Sequence, residues 1–337
     1  MRIATALSIG PLLVALPLNA QSSIGVPARA GVSSTSPSRV VATIPDSTFW
    51  PEGVDYDPRA GRYYVASVRH RTIAEVSANG AVRELWPRDR AGMGAVLGVR
   101  VDTARGALWA TTSGLRQMDG YVPADSAIAA LLRIRIGDGA IEKRWDVPPT
   151  ARGHVLGDLA LAPNGDVYVT DSYEPVIYHL RASDDTFERI TSPLFRSLQG
   201  VAPTPDGRSV FISDYSRGLL LLDVATGEVT RLDDALGTTS RGCDGIVLDA
   251  RGAIIAVQNG LSPARVVRFV VDSAKRRVLS ATVLDQDARA DEPTIGTIAR
   301  GEFVYVANSQ WEKHDEAGVR KAGTTLTAPV LLAVPLP

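Results

Sequence analysis

The sequence predicts an all-β fold: a six-bladed β-propeller of four-stranded blades, with an N-terminal strand completing the last blade. One observation is a pattern that recurs six times in the 337 residues, each copy centred on a small-residue slot: Gly53, Gly98, Asp158, Gly200, Gly245 and Gly296. Repeats of about 40–50 residues mark a ring of similar blades. A second observation is the run after each slot. An apolar strand leads into a turn and then a strand rich in β-branched and aromatic residues, such as Val167-Tyr168-Val169-Thr170-Asp171 or Val210-Phe211-Ile212-Ser213-Asp214. Such runs suit strands buried between two layers. The third concerns the ends. The sixth unit has only three strands of its own, near 296–298, 303–307 and 330–334, while residues 39–44 precede the first unit and can supply a fourth. Closing the ring this way removes an exposed sheet edge. A pair of β-sandwiches is the alternative, and six equivalent units argue against it.

Residues 1–20 open with Met1-Arg2, continue through an apolar stretch and end at Leu18-Asn19-Ala20. A basic start, an apolar middle and a closing small residue make a secretory signal peptide, so a periplasmic or secreted protein is expected. The stretch contains Pro11 and Pro17 and is short for a membrane anchor; no integral span is expected after its removal. Residues 21–38, rich in Ser, Gly, Pro and Ala, read as a flexible leader. That leaves 39–337 as a single propeller domain. With 36 basic against 37 acidic residues, the composition gives no sign of the basic face that nucleic acid requires. Cys243 is the only cysteine, so no internal disulfide can form and the core must hold the fold alone.

Within each unit the turns are chemically plain. Pro163-Asn164-Gly165 and Pro205-Asp206-Gly207 carry the Asn-Gly and Asp-Gly pairs that favour hairpins. Pro58-Arg59-Ala60-Gly61 and Asp249-Ala250-Arg251-Gly252 occupy the same place in other units. Further apolar strands come next, as at Gly218-Leu219-Leu220-Leu221-Leu222, then Ala225-Thr226-Gly227-Glu228 turns into a fourth strand.

In a propeller the first strand of each blade lines a central channel, so the starts of those strands converge on one mouth. The residues just before the slots are Glu52, Leu97, Gly157, Gln199, Asp244 and Ile295. Two carboxylates and an amide are thus aimed at a common axis. Oxygen donors of this kind suit Ca²⁺ and, less well, Mg²⁺, and no His-Cys cluster favours zinc. The same side chains could instead bond loop backbones at the mouth. His154 precedes the third inner strand and could act as a base near neutral pH or simply brace a loop. Trp50 and Trp311 could wall the mouth or pack in its rim. The polar insert 310–327 is a lid or a solvated loop. No Gly-x-Ser-x-Gly elbow supports a serine hydrolase, and Cys243 reads as a small buried residue.

Pro51-Glu52-Gly53, Asp158 with Pro163-Asn164-Gly165, Gln199-Gly200, and Asp244-Gly245 with Asp249-Ala250-Arg251-Gly252 resemble the gluconolactonase / senescence-marker-protein family. The resemblance covers essentially the whole chain after the leader. It implies a six-bladed propeller holding a divalent cation, often Ca²⁺, in its channel. The implied ligands are a Glu from Pro-Glu-Gly, one or two Asn, and an Asp from Asp-Gly. The cation would polarise a lactone carbonyl, with the Asp as base toward water. The related diisopropyl-fluorophosphatase and paraoxonase groups use similar ligands on other ester-like substrates. Glu52 and Asp244 match this pattern. Gln199 stands where the family has Asn, Gly157 stands where another Asn is usual, and Asp158 matches an Asp common at its place.

The expectation is therefore an exported, metal-dependent hydrolase of the lactonase or esterase type. Glu52, Gln199 and Asp244 would hold the cation, with Ca²⁺ favoured over Mg²⁺, Mn²⁺ or Zn²⁺. Asp244 would be catalytic, and Asp158, His154, Trp50 and Trp311 would contact a small-molecule substrate. The alternative is a non-catalytic propeller that binds a small molecule, glycan or protein around a degenerate metal site.

Overall fold

The computed structural model of the chain describes residues 37–337 apart from 78, 79, 89 and 275. The expected signal peptide, and nearly all of the leader, lie outside the described residues. Strand β1 (Arg39–Thr43) comes first in the chain but belongs to the last sheet. Blade 1 is β2 (Pro51–Asp57), β3 (Arg62–Ser67), β4 (Ile73–Val76) and β5 (Val82–Glu84). Blade 2 is β6 (Ala95–Asp102), β7 (Ala107–Ser113), β8 (Ala129–Arg135) and β9 (Ile141–Asp146). Blade 3 is β10 (Leu156–Leu161), β11 (Val167–Asp171), β12 (Val176–Leu180) and β13 (Glu188–Ile190). Blade 4 is β14 (Leu198–Pro203), β15 (Ser209–Asp214), β16 (Gly218–Asp223) and β17 (Val229–Arg231). Blade 5 is β18 (Ile246–Leu248), β19 (Ile254–Gln258), β20 (Arg265–Asp272) and β21 (Arg277–Asp285). Blade 6 is β22 (Gly296–Ala299), β23 (Glu302–Val306) and β24 (Val330–Pro335), completed by β1. Strand β1 pairs antiparallel with β24, Arg39 opposite Ala333. The closure expected from the sequence is the one observed.

The first strand of each blade packs on the first strand of the next, from β2 through β6, β10, β14, β18 and β22 and back to β2. That closed ring makes the six sheets a propeller. The core fills the six gaps between blades. Val54 and Val65 meet Val304, Val306 and Leu331 in the gap between blades 6 and 1, and Tyr64, Ala66 and Ile73 meet Val96 and Leu108 in the next gap. Tyr64 and Val65, neighbours in β3, thus face opposite gaps. A strand with successive side chains on opposite faces, both covered, must be apolar throughout.

Each blade sets two inner residues against one at the slot. In blade 5 these are Asp244-Gly245 opposite Val257. In blade 6 they are Thr294-Ile295 opposite Val306, so the slot there is Ile295 and not the expected Gly296. In β2, Pro51 pairs with Ser67 but Val54 with Val65, so one extra residue is accommodated at Glu52-Gly53. The same shift occurs at Leu97-Gly98, Gly157-Asp158 and Gln199-Gly200. The slot is small because the next blade is near. A Cβ on Gly200 would lie 2.5 Å from the Ile246 nitrogen, and one on Gly245 would lie 2.8 Å from Ile295 Cα. A Cβ on Gly53 would collide with the Leu97 carbonyl oxygen. Blade 3 inverts the order: Gly157 comes first, and a Cβ there meets only the Ser172 hydroxyl at 3.6 Å.

A bulge leaves backbone groups outside the ladder, and hydroxyls on the second strands take them up. Ser213 Oγ accepts from Gly200 N at 2.8 Å and donates to the Asp244 carbonyl of the next blade at 2.6 Å. Thr170 Oγ1 accepts from Asp158 N at 3.2 Å and donates to the Gln199 carbonyl at 2.5 Å. The Gly200→Ala substitution is expected to destabilise the protein by about 1–3 kcal/mol through overpacking. The matching Gly157→Ala change should be near neutral, and urea unfolding of the two variants compares them directly.

Candidate active site

The bulges set one residue from each blade at the same channel mouth, and the charges there sense one another across the ring. Glu52, from blade 1, is buried. Its carboxyl is pushed well above the usual range by that burial, then by the Asp244 charge, with Glu292 and Asp158 adding to the effect. Asp244, from blade 5, is buried and raised to about 7, again chiefly by burial. Neither has a basic side chain among the causes that shift it. Their partners are neutral donors. Trp311 Nε1 donates to Glu52 Oε2 at 2.8 Å, and Asn259 Nδ2 donates to Asp244 Oδ2 at 2.8 Å.

Asp158 is placed differently. It is buried against Arg100, whose guanidinium lies 2.9 Å from Oδ1 and 3.1 Å from Oδ2, and Leu159 N donates to Oδ1 at 2.8 Å. Burial raises its pKa in spite of Arg100. Gln199 is half-buried, with Nε2 at 3.4 Å from the Ser197 hydroxyl. Both ring nitrogens of His154 are engaged, Nδ1 with Asp171 Oδ2 at 2.6 Å and Nε2 with the Pro148 carbonyl at 3.0 Å. His154 is 2% exposed, so neither nitrogen is left for a ligand; the ring braces the loop that leads into β10.

The insert 310–327 covers this mouth. Trp50 stacks on His314, ring centroids 4.0 Å apart, and meets Trp311 edge-on at 4.9 Å. Glu292 receives the Glu312 backbone N–H on both carboxylate oxygens, at 2.9 and 2.8 Å, and burial pushes its pKa up to about 8. Trp50, Glu292 and Gln310 all adopt positive φ, at 50°, 57° and 69°. Non-glycine residues held in that region are strained, and such residues gather at functional sites.

Sequence reasoning did not find Arg100, Asn259, Glu292 or His314. Arg100 had a signal, a lone charge in the buried run Val99-Arg100-Val101. Asn259-Gly260 has only the form of a turn, and nothing local marked Glu292 or His314 as part of the mouth.

These residues fit a hard cation by their chemistry. Two buried carboxylates stand together without a basic partner, and Asn259 Oδ1 beside them is buried with no hydrogen bond. Among the described residues no three or more His, Cys, Asp or Glu side chains could hold a metal ion. Amide oxygens from Gln199 and Asn259 would have to join Glu52 and Asp244, which suits the flexible, all-oxygen coordination of Ca²⁺. A cleft of about 710 Å³ opens at the other end of the inner strands, lined by Arg59, Thr103 and Arg300 among others. Its inner carboxylate, Asp55, is already satisfied by Val101 N at 2.7 Å and Tyr56 N at 2.8 Å. The unneutralised carboxylates therefore make the Glu52 mouth, and not this cleft, the candidate site.

A family model described as the SMP-30/Gluconolactonase/LRE-like region matches residues 50–283. The chain belongs to this family. The match contains Glu52, Asp158, Gln199, Asp244 and Asn259, while Glu292 and Trp311 lie beyond it. Solved structures of several activities share the fold. A gluconolactonase from Xanthomonas campestris aligns at 16% identity and TM-score 0.57, over 87% of this chain and 89% of that one. Virginiamycin B lyase from Staphylococcus aureus aligns at 12% and 0.56, over 87% and 97%. The PQQ-bound aldose sugar dehydrogenase from Streptomyces coelicolor aligns at 15% and 0.57, over 88% and 96%. Likeness at these identities shows the fold alone. No curated protein sequence matches the chain. No helix among the described residues is long and apolar enough to cross a membrane.

Two outcomes test this geometry. Replacing Arg100 by Met strands a buried carboxylate and should cost about 3–5 kcal/mol in urea unfolding. The second concerns pH. Asp244 and Glu292, with ordinary values of 3.8 and 4.5, hold protons in the fold to about 7 and about 8. The folded state thus binds more protons than the unfolded chain across this window. The stability these two groups contribute is full below about pH 4 and is lost as pH rises to about 8. Thermal unfolding in chelator should show that fall, and Asp244→Asn should flatten it.

Proposed function

We propose that this protein is an exported, cation-dependent hydrolase of lactones or related esters, working at the Glu52 mouth. The observation that carries the reading is the buried Glu52–Asp244 pair, two carboxylates raised first by burial, with the Asp244 charge raising Glu52 further and no basic residue to neutralise either. Family membership supports the lactonase type, and the pattern of residues 1–20 supports export. Glu52, Asp244, Gln199 and Asn259 would hold the ion. A divalent cation bound there supplies Lewis-acid polarisation of the substrate carbonyl.

The chain's own groups do the rest. Asp244 in its ionised form takes a proton from the water that adds to the carbonyl carbon. As the ring C–O bond breaks, that proton passes to the leaving oxygen, giving a hydroxy acid. Asn259 keeps the Asp244 carboxylate in place. Trp50, His314 and Trp311 form an aromatic wall that excludes water from the mouth. Cation affinity should rise with pH, because protons compete for Glu52 and Asp244.

The purified protein should open simple lactones, lose that activity in chelator and regain it with Ca²⁺. Asp244→Asn should lower kcat/KM by about 100-fold or more, and Glu52→Gln should weaken the cation response. Wild-type inactivity across lactones and esters would leave the alternative, a binding propeller. One contact favours that alternative: Trp311 already occupies a Glu52 oxygen.

A further inference from the structure

Asn259 lies just after β19 and its carboxamide is clamped from one side. Nδ2 donates to Asp244 Oδ2 and to the Pro293 carbonyl, both at 2.8 Å. Both partners are acceptors here, so the amide cannot be turned over without setting oxygen against oxygen. Oδ1 is therefore the amide atom that these two contacts leave unused. It is buried and makes no hydrogen bond, and it is the one oxygen among the buried side-chain atoms without a partner in the described residues. An amide oxygen held in that state beside a carboxylate is a poor arrangement unless something positive meets it.

The bulge ring itself is short of donors. Leu97 is apolar, Gly157 has no side chain, and Thr294, the blade 6 residue at this place, donates its hydroxyl to the Glu52 carbonyl at 2.6 Å. Glu52, Gln199 and Asp244 supply the carboxylate and amide oxygens among the six positions, while Ca²⁺ takes six to eight oxygens. We propose that Asn259 Oδ1 is a direct ligand of a calcium-like cation, adding from the end of β19 a donor beside Asp244 that the ring of inner-strand residues lacks. Nδ2 serves as the anchor, so one amide both fixes Asp244 and adds a neutral donor without a third negative charge. This assignment rests on the cation-dependent reading of the site.

The test uses the full folded chain, with Ca²⁺ in calorimetry and Tb³⁺ as a luminescent probe. Terbium lifetimes in H₂O and D₂O count the waters on the bound ion. Asn259→Ala and the gentler Asn259→Ser, each checked for folding by circular dichroism, should weaken Ca²⁺ binding about tenfold or more. Both should also raise the count of bound waters by one. Weaker binding with an unchanged water count would make Asn259 only a positioning residue for Asp244 and overturn the proposal. Unchanged affinity would overturn it too. If Glu52→Gln abolishes binding while the Asn259 variants keep it, the cation reading stands and this ligand assignment falls. If the wild type binds neither ion, both fall together.

Discussion

The rest of this structure depends on how closely one inner strand approaches the next. Backbone nearly touches backbone across each blade junction, at Gly53 against Leu97 and at Gly200 against Ile246. A side chain fits poorly at that point of most blades, and the bulge lets the strand bend past its neighbour. The bulge in turn frees N–H and C=O groups that Thr170 and Ser213 collect and hand across the junction. Packing, hydrogen bonding and the aim of the bulged side chains are thus one arrangement. The side chains at the mouth sit on the closely packed backbone of the blade junctions.

That close packing explains why acidic groups can be kept together. Glu52, Asp158 and Asp244 come from three different blades, and a soft scaffold would let them separate into water. Burial is the first influence on each of them. The three are resolved in two ways. Asp158 is neutralised by Arg100 and becomes part of the wall. Glu52 and Asp244 receive only an indole N–H and an amide N–H. A neutral donor eases a buried carboxylate less than a full charge does, so this pair keeps an unmet demand for positive charge.

The segment after β23 completes the mouth. Gln310 turns the chain with a positive φ, Trp311 reaches Glu52, and His314 lies flat on Trp50. Glu292 receives the Glu312 N–H at the start of the insert. Since Trp311 bonds the carboxylate itself, the lid and the site share one hydrogen-bond network, and whatever enters must reorganise it.

The sequence by itself determined the number of blades, their strands and the closure by residues 39–44. Those features arise from local patterns, the two-residue alternation of strands and turn residues at fixed places, repeated often enough to average out ambiguity. It also marked Glu52, Gln199 and Asp244, because their place before the slot is a property of the repeat. Only the tertiary structure decided which side chains meet. Arg100 and Asp158, or Asn259 and Pro293, lie far apart along the chain and share no periodicity, so their contact is set by how blades face one another. His154 shows the same from the other side. A histidine near the mouth in sequence is spent on Asp171 and Pro148, because burial obliges a polar ring to find its partners close by.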